Sequence, residues 1–162
     1  MFVDFNSLPD SARVWIYQSD REFTEDEVIT INQKAVEFIN GWTRHGDALK
    51  GSFTIEYNQF IILGLDETFN SASGCSIDAS VRFVKEVEQT LSVDLMNKMN
   101  ISFKDGDNIN IVKLPDFQKF AKEQKITSDT IVFNNMVNTK LEVKTKWEVP
   151  AKDSWHSRFL AQ

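Results

Sequence analysis

Phe60-Ile61-Ile62-Leu63-Gly64-Leu65 decides the fold. The stretch is apolar on both alternations, so both faces of the strand it predicts need cover, and that places it inside a sheet. Arg13-Val14-Trp15-Ile16-Tyr17-Gln18 reads the same way. Ser52 to Tyr57 alternates instead, with Phe53, Ile55 and Tyr57 against Thr54 and Glu56. That pattern predicts a strand with one wet face, and Asn58-Gln59 reverses the chain between it and the apolar strand.

Two helices fit between and after these strands. Thr24 and Glu27 have capping-box spacing, and Val28, Ile31, Ala35, Phe38, Ile39 and Trp42 then share one helical face. The second helix is predicted from about Ile77 to Leu91, with Ile77, Val81, Val84 and Leu91 together. The order β-α-β-β-α is that of an α+β, split βαβ core (ferredoxin-like, βαββαβ), with Ile101 to Phe103 or Ile109 to Val112 supplying the last strand. In that arrangement the first and third strands are central and the second lies at an edge, as the apolar patterns require.

This core is expected over residues 1–105, with a C-terminal α/β appendage over 106–162, or the two as one single domain 1–162. Asp105-Gly106 is a hairpin turn signal and Pro115 opens a helix through Gln124. Ile131-Val132-Phe133 reads as a strand, and Leu141 to Val149 as an alternating strand ended by Pro150. The aromatic tail Trp155 to Leu160 should dock. The appendage is expected over the sheet face that the helices leave open.

Composition narrows the function classes. The 162 residues carry a net charge of −6, which disfavours sequence-independent nucleic-acid binding. The densest basic stretch, Lys140 to Lys146, contains Glu142 and reads as a solvated strand face. One cysteine excludes an internal disulfide framework and fits a reducing compartment. Met1 to Asp10 lacks the positive start and apolar run of a signal peptide, and no apolar block approaches a membrane span. The expectation is a soluble, cytoplasmic protein without membrane insertion.

The stretch Asn70 to Asp78 carries the chemistry that remains. It joins the apolar strand to the second helix and holds Cys75 among small residues. The first turn of a helix offers unpaired N–H groups and a partial positive charge, so Gly74, Cys75 and Ser76, with Arg44, are anion-binding candidates. Strand order should bring Trp42 to Gly46, Asp66-Glu67 and Gly74 to Asp78 to one end of the sheet. A nucleophilic site there would use Cys75 as thiolate, His45 as base, and Asp66 or Asp78 as the orienting group. The bland reading stands beside it: Cys75 as an inert small residue, Asp78 as a first-turn cap, His45 at the C-terminus of the first helix, and Asp66-Glu67 as a solvated strand end. No P-loop, dinucleotide fingerprint or metal-ligand spacing is present, and no cofactor or metal is implied.

Val14 to Ser19, Trp42 to Gly46, Asp66-Glu67, Gly74 to Val81, Asp129 to Asn135 and Ser154-Trp155-His156 form a series that resembles a family of small uncharacterised Bacteroidetes proteins. The likeness covers nearly the whole chain. Members are often labelled "ABC transporter ATPase", yet this chain has neither a Walker A lysine loop nor a Leu-Ser-Gly-Gly-Gln signature. The resemblance therefore implies no ATPase activity and no catalytic residue. Leu114 to Val132 is also similar to GYF-like peptide-binding modules, which implies a protein-interaction role. The leading expectation is a non-enzymatic binding or adaptor protein for an unassigned protein or a small anionic ligand. Ser52 to Tyr57 is an edge for an added strand or for a homodimer. The alternative is a small cysteine-dependent enzyme.

Overall fold

The computed structural model describes residues 1–160. The chain is α+β and divides into two compact units. Met1–Met96 and Asn138–Leu141 form the first; Asn97–Val137 and the residues from Glu142 onward form the second. No helix is long and apolar enough to cross a membrane among the described residues.

The first unit runs β1 (Arg13–Gln18), α1 (Glu25–Asn40), β2 (Thr43–Arg44), β3 (Asp47–Ala48), β4 (Gly51–Glu56), β5 (Phe60–Leu65) and α2 (Gly74–Leu91). Its main sheet has the order β1-β5-β4, antiparallel throughout. All six residues of β5 are buried. α1 starts on a complete capping box: Thr24 Oγ1 accepts from Glu27 N and the Glu27 carboxylate accepts from Thr24 N. Arg21 grips the same carboxylate at 2.7 Å, which holds Glu27 down at about 2.

The two faces of β5 find different cover. Ile61, Leu63 and Leu65 join Ile31, Ala35, Ile39, Phe83, Val84 and Val87 of the helices in one core. Burial of each of these side chains other than that of Ala35 is worth roughly 1.5–3 kcal/mol. The opposite face carries Gly64. A methyl group there would come within 2.7 Å of Leu8 Cδ1 and 3.1 Å of Phe5 Cε2, so the N-terminal segment lies directly on the strand. Lys140 fixes that segment. It is buried, and its Nζ donates to Leu8 O at 2.6 Å and Asn6 O at 3.0 Å. The residues around it join the sheet: Val14 N donates to Asn138 O, Lys140 N donates to Ala12 O, and Arg13 bridges Thr139 antiparallel.

The second unit contains β6 (Asn100–Asp105), β7 (Asn108–Lys113), α3 (Leu114–Lys122), β8 (Ile131–Phe133) and β9 (Glu148–Pro150). Its sheet has the order β7-β6-β8-β9. Ile101, Phe117, Ile126, Val132 and Ala151 form its core, and Phe103, Phe120, Trp155 and Phe159 pack on it. Pro115 stands in the first turn of α3, where its missing N–H costs nothing.

Three expectations need correction. Neither Ile101–Phe103 nor Ile109–Val112 completes the first sheet. They pair with each other in the β6–β7 hairpin of a separate sheet, because the turn between Asp105 and Asn108 closes the nearest available partner first. The place beside β1 is taken by Thr139 instead. The expected division at residue 106 thus falls inside a hairpin. Leu141 to Val149 is not a strand: Lys140–Glu142 form a helical turn, Val143–Trp147 a π-helical one, and only Glu148–Pro150 is extended. Lys140 and Trp147 are the buried residues here, and their spacing of two helical turns outweighs the alternation. Finally, the sheet face opposite the helices, for which the C-terminal appendage is the expected cover, is met at Gly64 by Phe5 and Leu8 of the N-terminal segment.

Replacing Lys140 by Met keeps the apolar stem but strips Asn6 O and Leu8 O of their donor. Urea denaturation should then show the first unit destabilised by roughly 2 kcal/mol, the usual scale for a hydrogen bond to a charged group. An unchanged midpoint would show that the ammonium does not anchor the N-terminal segment.

Candidate functional site

Two places gather side chains suited to hold a ligand: the start of α2 in the first unit, and a groove in the second.

The start of α2 is organised by serines. Ser73 is the N-cap, and its Oγ accepts from Ser76 N at 3.1 Å. Ser76 is buried; its Oγ donates to Thr43 O at 2.9 Å and its carbonyl accepts from Trp42 Nε1 at 2.9 Å. Arg44 Nη1 donates to Ser71 Oγ at 2.6 Å. The structure therefore brings Arg44 and the β2–β3 hairpin to the loop before α2. The helix begins at Gly74, three residues earlier than the apolar spacing indicates, because Ser73 supplies the cap.

The titratable residues of this region are differently employed. Asp66 is buried rather than solvated. Its Oδ1 accepts from Thr68 Oγ1 at 2.5 Å and Thr68 N at 3.0 Å, and Lys50 Nζ lies 3.7 Å from Oδ2. Those Thr68 hydrogen bonds, opposed by burial and assisted by Lys50, hold its carboxyl below the usual carboxylate range. Asp66 is thus the anchor of the loop after β5. Glu67 Oε2 accepts from Ala72 N at 3.2 Å in the same loop. His45 is not in the last turn of α1, which stops at Asn40 with Gly41 as its cap. It sits exposed in the β2–β3 turn at φ 50°, followed by Gly46 at φ 86°. Gly74, Cys75 and Asp78 are exposed. Among the described residues the side chains of Cys75 and His45 make no hydrogen bond or ion pair. No group of three His, Cys, Asp or Glu side chains that could hold a metal occurs among the described residues.

The second place mixes apolar and polar side chains. β6 and β8 are paired only at Phe103 with Val132. Past that pair lies a groove of about 680 Å³, walled by Phe103, Ile111, Val112, Phe120, Ile126 and Ile131. One wall comes from the β6–β7 hairpin and the other from the turn after α3. That turn is set by Gln124 at φ 58°, which lets Lys125 N and Ile126 N donate back to Phe120 O. Thr130 Oγ1 then accepts from Thr127 N at 2.9 Å and closes the loop. Lys104 and Lys125 stand at the groove, each ion-paired, to Glu148 and Glu123 respectively. The Lys125 ammonium also lies 5.5 Å from the centre of the Phe120 ring.

Sequence reasoning singled out the Cys75 region and did not single out the β6–β7 strands that wall this groove. The available signals were the apolar alternation of Ile109 and Ile111, of which Ile111 lines the groove, and the stretch Leu114 to Val132, which supplies Phe120, Ile126 and Ile131.

The serine pair makes a testable unit. Ser73→Ala should cost about 1 kcal/mol as a lost cap, and Ser76→Ala a similar amount as a lost buried hydrogen bond. The two hydroxyls lie 2.9 Å apart, so the double variant should cost less than both added, measured by urea denaturation. Strict additivity would mean that the two caps act independently. No protein-family model, curated protein or solved structure matches this chain.

Proposed function

We propose that the chain is a non-enzymatic binding protein whose acceptor is the groove of the second unit. The occupant is an extended segment of another protein that presents apolar side chains. The groove itself carries this reading: it is concave, of the volume typical for a recognition pocket, and sets the apolar side chains of Phe103, Ile111, Val112, Phe120, Ile126 and Ile131 among the polar ones of Lys104, Asn110, Lys125, Asp129 and Thr130. β7 borders it and is the edge of its sheet, so an extended segment has main-chain partners beside the pocket. The likeness of Leu114 to Val132 to GYF-like modules points the same way.

The acidity of the chain does not oppose it. Of 24 acidic side chains 16 lie in the first unit, with 8 of the 18 basic ones, leaving it −8 and the second unit +2. Within the same proposal, the first unit is read as a split βαβ arrangement in which Thr139 stands in for the fourth strand, the protein is cytoplasmic, and the chain belongs to the Bacteroidetes family it resembles. Pairing of two copies through the edge strand is the less favoured use of β4. Phe2 already bridges Gly51, and Val3 N and Gly51 N bond across, so the start of that edge is occupied.

The cysteine-dependent alternative keeps one favourable observation, the exposure of Cys75 in the first turn of α2. Its signature is alkylation of Cys75 well below pH about 8.5; the profile of an ordinary free thiol would remove it.

Selection from displayed random 12-residue peptides tests the main reading. Enriched peptides should share apolar or aromatic positions at alternate residues. Their affinity should fall at least tenfold in Ile131→Asp and in Phe120→Ala, with no change in Cys75→Ala. Absence of enrichment, or enriched peptides indifferent to both groove variants, would contradict it.

A further inference from the structure

The tail of the second unit holds a titratable group that the groove does not use. His156 is fully buried. Its Nδ1 lies 2.7 Å from Ser154 Oγ, while Nε2 is buried without a partner. The ring stacks on Trp155 at 3.7 Å and 23°, and the Phe117 ring of α3 lies 5.5 Å away. The Trp155 indole nitrogen is likewise buried without a partner.

The charged groups around it are few. On α3 they are Asp116, Lys119 and Lys122, and on the 3-10 turn Ala151–Asp153 they are Lys152 and Asp153; all are exposed to solvent. On the histidine's own 3-10 helix, Trp155–Phe159, there is Arg158. Arg158 Nε donates to Trp155 O, and its guanidinium lies 5.8 Å from the Trp155 and Phe159 ring centres. Arg158 is the one that acts on the imidazole, and it does so as a like charge. Burial first, and Arg158 second, push the imidazole down to about 4 from an ordinary value of 6.5.

We propose that His156 is an acid-released latch: protonation of its ring undocks the 3-10 helix Trp155–Phe159 from α3 and so loosens the wall of the groove. A neutral imidazole leaves one nitrogen unsatisfied in this cage. An imidazolium places a second N–H there with no acceptor, and a charge beside Arg158. The effect reaches the groove through α3, because Phe117 packs on His156 while Phe120, one turn on, lines the groove. That last step rests on the groove being the acceptor; the latch itself does not.

The sign follows from proton linkage. The undocked ring takes up its proton near pH 6.5 and the docked ring only near 4. Docking is therefore fully favoured above pH 6.5 and weakens on acidification, by about 30-fold at pH 5, levelling off below 4.

The test is a histidine Cε1–H NMR titration of the full chain with near-UV circular dichroism in parallel. The resonance of His45 is assigned with His45→Gln. We expect His156 to keep its neutral shift to below pH 5.5 and then to change together with the aromatic signal. His156→Phe should move that acid transition down by at least one pH unit, and His45→Gln should not. Titration of His156 near 6.5 with no change in the aromatic signal, or an unmoved transition in His156→Phe, would overturn the latch. If His156→Phe does not fold, the titration of the unaltered chain decides alone. A peptide enriched on the groove should bind more weakly at pH 5 than at pH 7.5 in the unaltered chain and equally in His156→Phe. Equal pH dependence in both would refute the link to the groove, whereas failure to enrich any peptide removes the groove reading and leaves the latch to the titration.

Discussion

Strand β5 is buried on both faces, and the first unit is built to satisfy that demand. One face needs a continuous apolar cover, which α1 and α2 provide around Ile61, Leu63 and Leu65. The other is closed at Gly64, where the absence of a side chain lets Phe5 and Leu8 lie against the strand. This second cover is a short piece of chain with little core of its own. It holds because a buried ammonium, that of Lys140, collects the carbonyls of Asn6 and Leu8. A lysine is rarely buried without a carboxylate partner, and here backbone dipoles do part of that work. Lys140 lies in Asn138–Leu141, the four residues for which the chain leaves the second unit and joins the first.

What could be read from the sequence followed local periodicity. The capping box at Thr24, the three strands of the first sheet and both long helices were legible because each carries its own pattern. The destination of residues 100–113 was not. Both halves of that hairpin fit the vacant place beside β1 by composition, and only the tight turn between them says that they prefer each other. The segment after Lys140 was misread for a related reason: an alternation of Leu141, Val143 and Thr145 with lysines and a glutamate imitates a strand, whereas the burial of Lys140 and Trp147 follows a helix. A buried lysine leaves no mark in hydropathy.

The candidate site shows the same limit. Strand order does bring Arg44 beside the loop that precedes Cys75. Yet Asp66, the group suited to orient a base, is spent on Thr68 and Lys50 in holding that loop. Side-chain commitments of this kind decide whether neighbouring residues make a catalyst, and spacing does not reveal them. The second unit presents a concave surface with six apolar side chains, formed where β6 and β8 part after one pair. The formal acidity of the whole chain concealed that the two units differ in charge.

The central claim is that recognition belongs to this groove and not to the start of α2. Isoleucine methyl groups report on both, since Ile111, Ile126 and Ile131 line the groove and Ile77 stands in the first turns of α2. A methyl-labelled spectrum recorded against a panel of small aromatic fragments should show shifts at the three groove methyls and an unmoved Ile77. Shifts confined to Ile77, with the groove methyls silent, would contradict the account.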